Sequence, residues 1–281
     1  MIADDNISLV LLHAGLALHN ADWNWHDVRS PFARIYCVTR GTAHVSLPQA
    51  GIDLLPGKLY LIPPFVTHTC HCDGHFEHYY IHLYEQSHTG SIFDGWQLPS
   101  SIEASDYLAG MAKRLCTMTP GLRLAASNPA LYDNHDSLMA TLRSRNTLPL
   151  HIRMETKAIM LTLLSAFIAN GKPKPHTSER RIDRALRYIE AHIDAPIDLV
   201  RLADEACVSK DHFIRIFRKS TGETPAQYIT RKKLEQAELW LVTTDMPVKN
   251  IATALGYEDT SYFVRLFRNK IGITPQKYRY R

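Results

Sequence analysis

Residues 213–228 read FIRIFRKSTGETPAQY, and residues 263–278 read FVRLFRNKIGITPQKY. At an offset of fifty, eight of these sixteen positions are identical: Phe213/Phe263, Arg215/Arg265, Phe217/Phe267, Arg218/Arg268, Gly222/Gly272, Thr224/Thr274, Pro225/Pro275 and Tyr228/Tyr278. Upstream the match continues at an offset of 49, pairing Leu202-Ala203 with Ile251-Ala252 and Cys207-Val208 with Gly256-Tyr257. A repeat this long indicates a duplicated supersecondary unit rather than low complexity.

Each copy is punctuated as helix, turn, helix. A short helix is expected over 199–206 and again over 249–255; a second begins at Ser209 or Asp259 as the capping residue. Gly222 and Gly272 supply the C-terminal stop, and Pro225 and Pro275 suit the first turn of the helix that follows. Phe213, Ile216 and Phe217 fall at i, i+3 and i+4 and form the expected buried stripe, as do Phe263, Leu266 and Phe267. The opposite face carries Lys210, Asp211, Ile214, Arg215 and Arg218 in the first copy, and Thr260, Ser261, Val264, Arg265 and Arg268 in the second. Arginine can bond guanine O6 and N7 together, and aliphatic side chains can sit against thymine methyls. Ile214 and Val264 suit a partner surface better than a solvated one, so these faces are the candidate DNA-binding residues.

Charge supports that placement. Residues 179–281 carry 19 Lys and Arg against 14 Asp and Glu, a net +5, whereas residues 1–178 carry 13 against 14, a net −1. The excess permits a phosphate-binding surface in the C-terminal part. Histidine divides the other way, with thirteen of fifteen before residue 178. Five cysteines (Cys37, Cys70, Cys72, Cys116, Cys207), odd in number and without a CxxC pair, suit reduced thiols in the cytoplasm better than a disulfide framework. No apolar run reaches membrane-spanning length and the N-terminus lacks a basic signal region, so no membrane partner is expected.

Residues 171–178 (GKPKPHTS) read as a linker between a domain at 1–170 and one at 179–281. Before it, short strands are expected over 32–38, 42–47, 58–62, 67–72 and 76–85, the last two joined around Asp73-Gly74. Helices are expected over 102–117, near 130–145 and over 151–169. The last has Ile152, Ile159, Leu163, Leu164 and Phe167 along a broad apolar side, which can pack on the strands or pair with a second copy.

The stretches LADEACVSKDHFIRIFRKSTGETPAQYITRKKLEQAELWL (202–241) and IATALGYEDTSYFVRLFRNKIGITPQKYR (251–279) resemble the DNA-binding domain of the AraC/XylS-type, or arabinose-operon-type, regulators over about residues 180–280. The resemblance implies seven helices, with residues 226–243 as a rigid helix joining two units. It also implies recognition helices in successive major-groove segments on one face of the duplex. By position, Asp211, Ile214 and Arg215, then Thr260, Ser261, Val264 and Arg265, would face bases. Lys233 stands where the family usually has arginine, which is expected to alter a local ion pair.

The strand-rich half resembles the cupin-like sensor barrel that often precedes this domain, through Gly57-x5-Pro63 and His68. The implied architecture is α+β in two domains: a cupin-like β-barrel with flanking helices, then an all-α domain with two helix-turn-helix units. Around His44 the His-x-His pair of metal-dependent cupins is missing, and Phe65 replaces the glycine before His68, which argues against a metal-dependent cupin enzyme; no catalytic residue and no cofactor are expected. The rival reading is a zinc or other metal sensor. Strand alternation places His68, Cys70 and Cys72 on one face and His78, Tyr80 and His82 on another, although the spacing matches no established metal motif. A small-molecule pocket fits better, drawing on Trp23, Trp25, Arg34, Tyr36, His68, Tyr80 and His82. A sugar is the leading candidate, since the family often senses sugars and aromatic faces stack on them. The expected protein is thus a homodimeric activator of promoter DNA, with RNA polymerase as a further partner.

Overall fold

The computed structural model describes residues 7–86, 91–174 and 180–281. The chain forms two compact units: one takes residues 7–86 and 96–172, and the other takes 91–95 with 173–281. Residues 175–178 of the expected linker lie outside the described residues.

The first unit is built on β1 (Leu9–Asn20), β2 (Trp25–Val28), β3 (Ala33–Gly41), β4 (Ala43–Ser46), β5 (Gly51–Leu54), β6 (Lys58–Ile62), β7 (His68–His71) and β8 (His75–Glu85). After residues 91–95, which belong to the other unit and form a helical turn, α1 (Ile92–Gly95), come the short strands β9 (Trp96–Gln97) and β10 (Ser101–Glu103). A five-stranded sheet runs β1-β8-β3-β6-β10, and a four-stranded sheet runs β2-β7-β4-β5. Their inner faces share one core, in which Tyr36, Tyr60, Phe76 and Tyr80 of the larger sheet meet Val45, Leu54 and Cys70 of the smaller. The strands expected from alternation are present, and β6 matches its expected limits.

Strand β1 had no counterpart in the sequence reading. LVLLHAGLALHN is nearly continuous in apolar residues and lacks a period of two, because helices cover its outer face while its inner face lines the core. Those helices are α2 (Asp106–Met118), α4 (His135–Asn146) and α5 (Leu150–Ala169). The helix expected from residue 102 starts at 106 instead. Ser105 accepts a hydrogen bond from the Leu108 N–H as N-cap, while Ile102 pairs with Leu59 in the sheet. Similarly, the helical region near 130–145 divides into a turn, α3 (Pro129–Tyr132), and α4, which Asn134 caps through the Ser137 N–H. α5 buries Ile159, Leu163, Leu164 and Phe167, and Arg114 of α2 forks onto Glu155 at 2.8 and 3.1 Å.

Beyond β11 (Lys172–Pro173), the second unit has seven helices among its described residues: α6 (Arg180–Ala191), α7 (Leu199–Glu205), α8 (Lys210–Thr221), α9 (Pro225–Thr243), α10 (Val248–Ala254), α11 (Thr260–Ile271) and α12 (Pro275–Arg279). The repeat is visible in three dimensions. Phe213 and Phe217 are buried with Tyr228 standing edge-on to Phe217 at 5.6 Å; Phe263 and Phe267 are buried with Tyr278 edge-on to Phe267 at 5.7 Å. Ile216 is buried as expected, but its counterpart Leu266 is only half-buried. Gly222 and Gly272 end α8 and α11 in the left-handed region, at φ 80° and 90°. Within this unit Asp94 also reaches Lys232 of α9, at 2.5 Å. No helix among the described residues is long and apolar enough to cross a membrane.

Candidate nucleic-acid interface and interior pocket

The turn between the helices of each unit fixes how the second helix is presented. In the first copy the Val208 N–H bonds the Ala203 carbonyl at 3.1 Å and the Cys207 N–H bonds the Asp204 carbonyl at 2.9 Å. In the second, Tyr257 bonds Ala252 and Gly256 bonds Thr253, both at 2.9 Å. These are Schellman turns, each with its central residue at positive φ: 54° for Cys207 and 74° for Gly256. A Cβ on Gly256 would lie 2.6 Å from backbone atoms of Ala195 and Pro196, so only glycine fits there. Asp259 caps α11 by accepting from the Ser261 N–H at 2.7 Å, whereas the Ser209 side chain makes no such bond to α8.

Lys210, Asp211, Arg215 and Arg218 of α8 are exposed and Ile214 is half-buried; Ser261, Arg265 and Arg268 of α11 are exposed, with Thr260 and Val264 half-buried. Each helix therefore exposes two arginines and half-exposes one aliphatic side chain. Lys233, expected to alter a local ion pair, makes none with an acidic side chain among the described residues. Its ammonium, on a side chain only 5% exposed, donates to the Ala195 carbonyl at 2.8 Å and the Leu255 carbonyl at 2.5 Å. The second of these is the C-cap of α10, where helix carbonyls lack partners and favour a cation.

Inside the sheet unit lies a pocket of about 200 Å³. Leu16, Ala17, Leu18 and His19 of β1 line it with Asp22, Trp23, Tyr36, His78, Tyr80 and His82, closed by Leu124, Ala125, Ala126, Ser127 and Tyr132. Gly15 makes room for the Tyr80 ring, whose hydroxyl would be 2.5 Å from an added Cβ and accepts from the Leu124 N–H at 2.8 Å. Of the residues assigned to a ligand from sequence, Trp23, Tyr36, Tyr80 and His82 line this pocket. Trp25, Arg34 and His68 do not. Trp25 packs half-buried against the core, and His68 donates from Nδ1 to the Val66 carbonyl at 3.0 Å. Arg34 is 1% exposed and donates to Ser30 Oγ at 2.6 Å; Ser30 in turn bonds Asp133. Burial alone would lower the Arg34 pKa, but Tyr132, Tyr36 and Asp133 more than offset it and hold the charge.

Around this hub the imidazoles are neutral. Burial, reinforced by Arg34, pulls His13 down to about 3 and His68 to about 4. His82 is lowered well below its ordinary value by the same causes, and His78 by burial and then His19. Burial also outweighs Asp22 in lowering His19. The buried atoms His19 Nε2, His78 Nδ1 and His82 Nδ1, all on residues lining the pocket, have no hydrogen-bond partner among the described residues. Such a wall, aromatic with a few unengaged polar atoms, can orient a small hydroxylated molecule. No group of three or more His, Cys, Asp or Glu among the described residues is placed to hold a metal ion.

Residues 202–281 match the helix-turn-helix domain family, and residues 6–143 match the AraC-like ligand binding domain family. Regulatory protein SoxS of Salmonella typhimurium is 36% identical over 100 residues, which are 36% of this chain and 94% of SoxS. The chain belongs to the AraC/XylS family. Regulatory protein PocR of Salmonella typhimurium is 35% identical to this family member over 107 residues, 38% of this chain, and the chain spans only about a third of PocR's length. The crystal structure of ToxT from Vibrio cholerae covers 99% of the chain at a TM-score of 0.50 and 9% identity, a likeness of fold.

Among the pocket residues of this AraC-family chain, sequence reasoning missed His19, Asp22 and Tyr132 because β1 and the turn at α3 were not recognised. His78 was within reach, since strand alternation already set it beside Tyr80 and His82.

Proposed function

We propose that this AraC-family chain is a sequence-specific DNA-binding transcriptional regulator, an activator controlled by a small molecule held in the pocket of the sheet unit. The observation that carries the reading is the paired presentation of Arg215 and Arg265 on matching exposed faces of α8 and α11, each over a buried phenylalanine pair. An arginine fork beside an aliphatic side chain is the chemistry of major-groove reading. Lys210, Arg218 and Arg268 add cations suited to phosphates. The effector is a sugar-sized molecule stacked on Trp23 and Tyr36, its hydroxyls bonded by His19, His78 and His82. Control requires it to bind one arrangement of the DNA-binding units better than another. The protein works in the cytoplasm as a homodimer on promoter DNA, in concert with RNA polymerase.

The test is binding to a duplex that the wild-type protein enriches from a randomised pool. Arg215→Ala and Arg265→Ala should each cost about 1–3 kcal/mol of specific binding, and wild-type affinity should fall steeply with salt. Unchanged affinity in both variants would sink the assignment. For the effector, a thermal-shift screen with sugars and their phosphates should raise the midpoint of the sheet unit; a shift by an unrelated class with none from sugars would remove the carbohydrate.

A further inference from the structure

We propose that His212 is a positioning residue for Arg215, so that the first recognition helix presents a pre-ordered guanidinium while the second presents a free one. This rests on the DNA-binding reading above. His212 and Arg215 stand three residues apart on α8, on adjoining turns of one face. Arg215 Nη2 donates to His212 Nδ1 at 2.8 Å. Accepting at Nδ1 requires a neutral imidazole with its proton on Nε2. No carboxylate pairs with Arg215 among the described residues, so the imidazole is what holds the fork in place.

The bond need not compete with base reading. A guanidinium carries five N–H donors in a rigid fork, and one given to His212 leaves the others for guanine O6 and N7. Holding an arginine's rotamers before contact removes part of the ordering cost of binding. The second helix lacks the device. At the position fifty residues on stands Tyr262, 51% exposed, with its ring 6.2 Å from that of Tyr257. Arg265 has no hydrogen-bond partner among the described residues. The two arginines, identical in sequence, are therefore unequal in order, and the base under Arg215 should be read more strictly than the base under Arg265.

The test uses the full chain and the duplex it enriches from a randomised pool, with every base pair then substituted singly. Arg215→Ala identifies the pair that Arg215 reads, as the position where discrimination vanishes. His212→Leu should weaken binding to the parent duplex by about two- to tenfold, with the lost discrimination confined to that pair. It should add nothing in the Arg215→Ala background, yet keep its full effect in the Arg265→Ala background. His212→Asn, whose side-chain oxygen can accept from Nη2, should restore most of the loss.

Three results would overturn the proposal. One is wild-type discrimination in His212→Leu. Another is a loss uniform over all base pairs with a shallower salt dependence, which would make His212 a direct phosphate contact. The third is an equal loss in the Arg215→Ala background with no rescue by asparagine, the signature of a structural role. If the wild-type chain enriches no duplex, the DNA-binding reading itself fails, and the proposal with it.

Discussion

Replacing Gly256 by alanine perturbs the turn that leads into α11. The new Cβ would sit in a residue at φ 74°, which costs an L-residue about 1–2 kcal/mol. It would also lie 2.6 Å from the Ala195 carbonyl carbon and the Pro196 nitrogen, backbone atoms that cannot swing away as a side chain could. Overpacking of this kind costs about 1–3 kcal/mol, so the total is about 2–5 kcal/mol. At roughly 4–8 °C per kcal/mol for a domain of this size, the helical unit should melt at least about 8 °C lower. The first unit supplies the reciprocal experiment, because it carries Cys207 at φ 54° in the equivalent turn. Cys207 is exposed, so Cys207→Gly sacrifices no packing. Relief of the left-handed strain, less the extra chain entropy of glycine, nets about 0.5–1 kcal/mol of stabilisation. Thermal and urea unfolding of the full chain, followed by helical circular dichroism, reads both. If Gly256→Ala stayed within about 0.5 kcal/mol of wild type, or if Cys207→Gly destabilised, the equivalence of the two turns would be refuted.

Other expectations follow from the same packing. Phe217→Ala and Phe267→Ala each remove a fully buried ring and should cost about 3–5 kcal/mol in equilibrium unfolding; near-equal losses are expected because the aromatic surroundings repeat. Lys233→Met leaves the Ala195 and Leu255 carbonyls without their charged donor and should cost about 1–3 kcal/mol, seen as earlier urea unfolding. The sheet unit should be acid-labile. In the unfolded chain His13 and His68 take up protons near their ordinary 6.5, but the folded chain resists until about 3 and about 4. Their stabilising contribution is whole above pH 6.5 and is lost as pH falls through that window, at about 1.4 kcal/mol per pH unit for each histidine. His68→Gln should flatten the slope between pH 6 and 4 by about one proton; an unchanged slope would mean that His68 is not held neutral.

What the sequence disclosed depended on how much of the physics was local. The double helical unit was legible almost to the residue, since caps, glycine stops and the i, i+3, i+4 stripe are all encoded within one turn or two. Leu266 is the exception: it keeps the helical spacing of Ile216 but is not covered to the same degree. In the sheet unit, strands bounded by glycine or proline turn residues were legible even where both faces are covered, as β3 before Gly41 and β6 between Gly57 and Pro63 show, whereas β1 is not bounded in this way. β1, covered on both faces, loses the alternation that marks a strand, and with it went His19 and the pocket wall it supplies. Lys233 shows a different limit. Its residue type indicated a cation and a partner, but its partners are backbone carbonyls brought from residues 195 and 255, which no local pattern encodes.

Lys210-Asp211 in α8 stands where α11 has Thr260-Ser261, so one chain is proposed to read two groove segments with two unlike helices. Enrichment of a randomised duplex pool by this chain, followed by sequencing, tests it most directly. The expected result, for each protomer, is a non-palindromic site with two blocks of base preference about one helical turn, roughly 10 base pairs, apart. Arg215→Ala should erase a guanine in one block, and Arg265→Ala a guanine in the other. A single block, or two blocks both lost on changing either arginine alone, would contradict it.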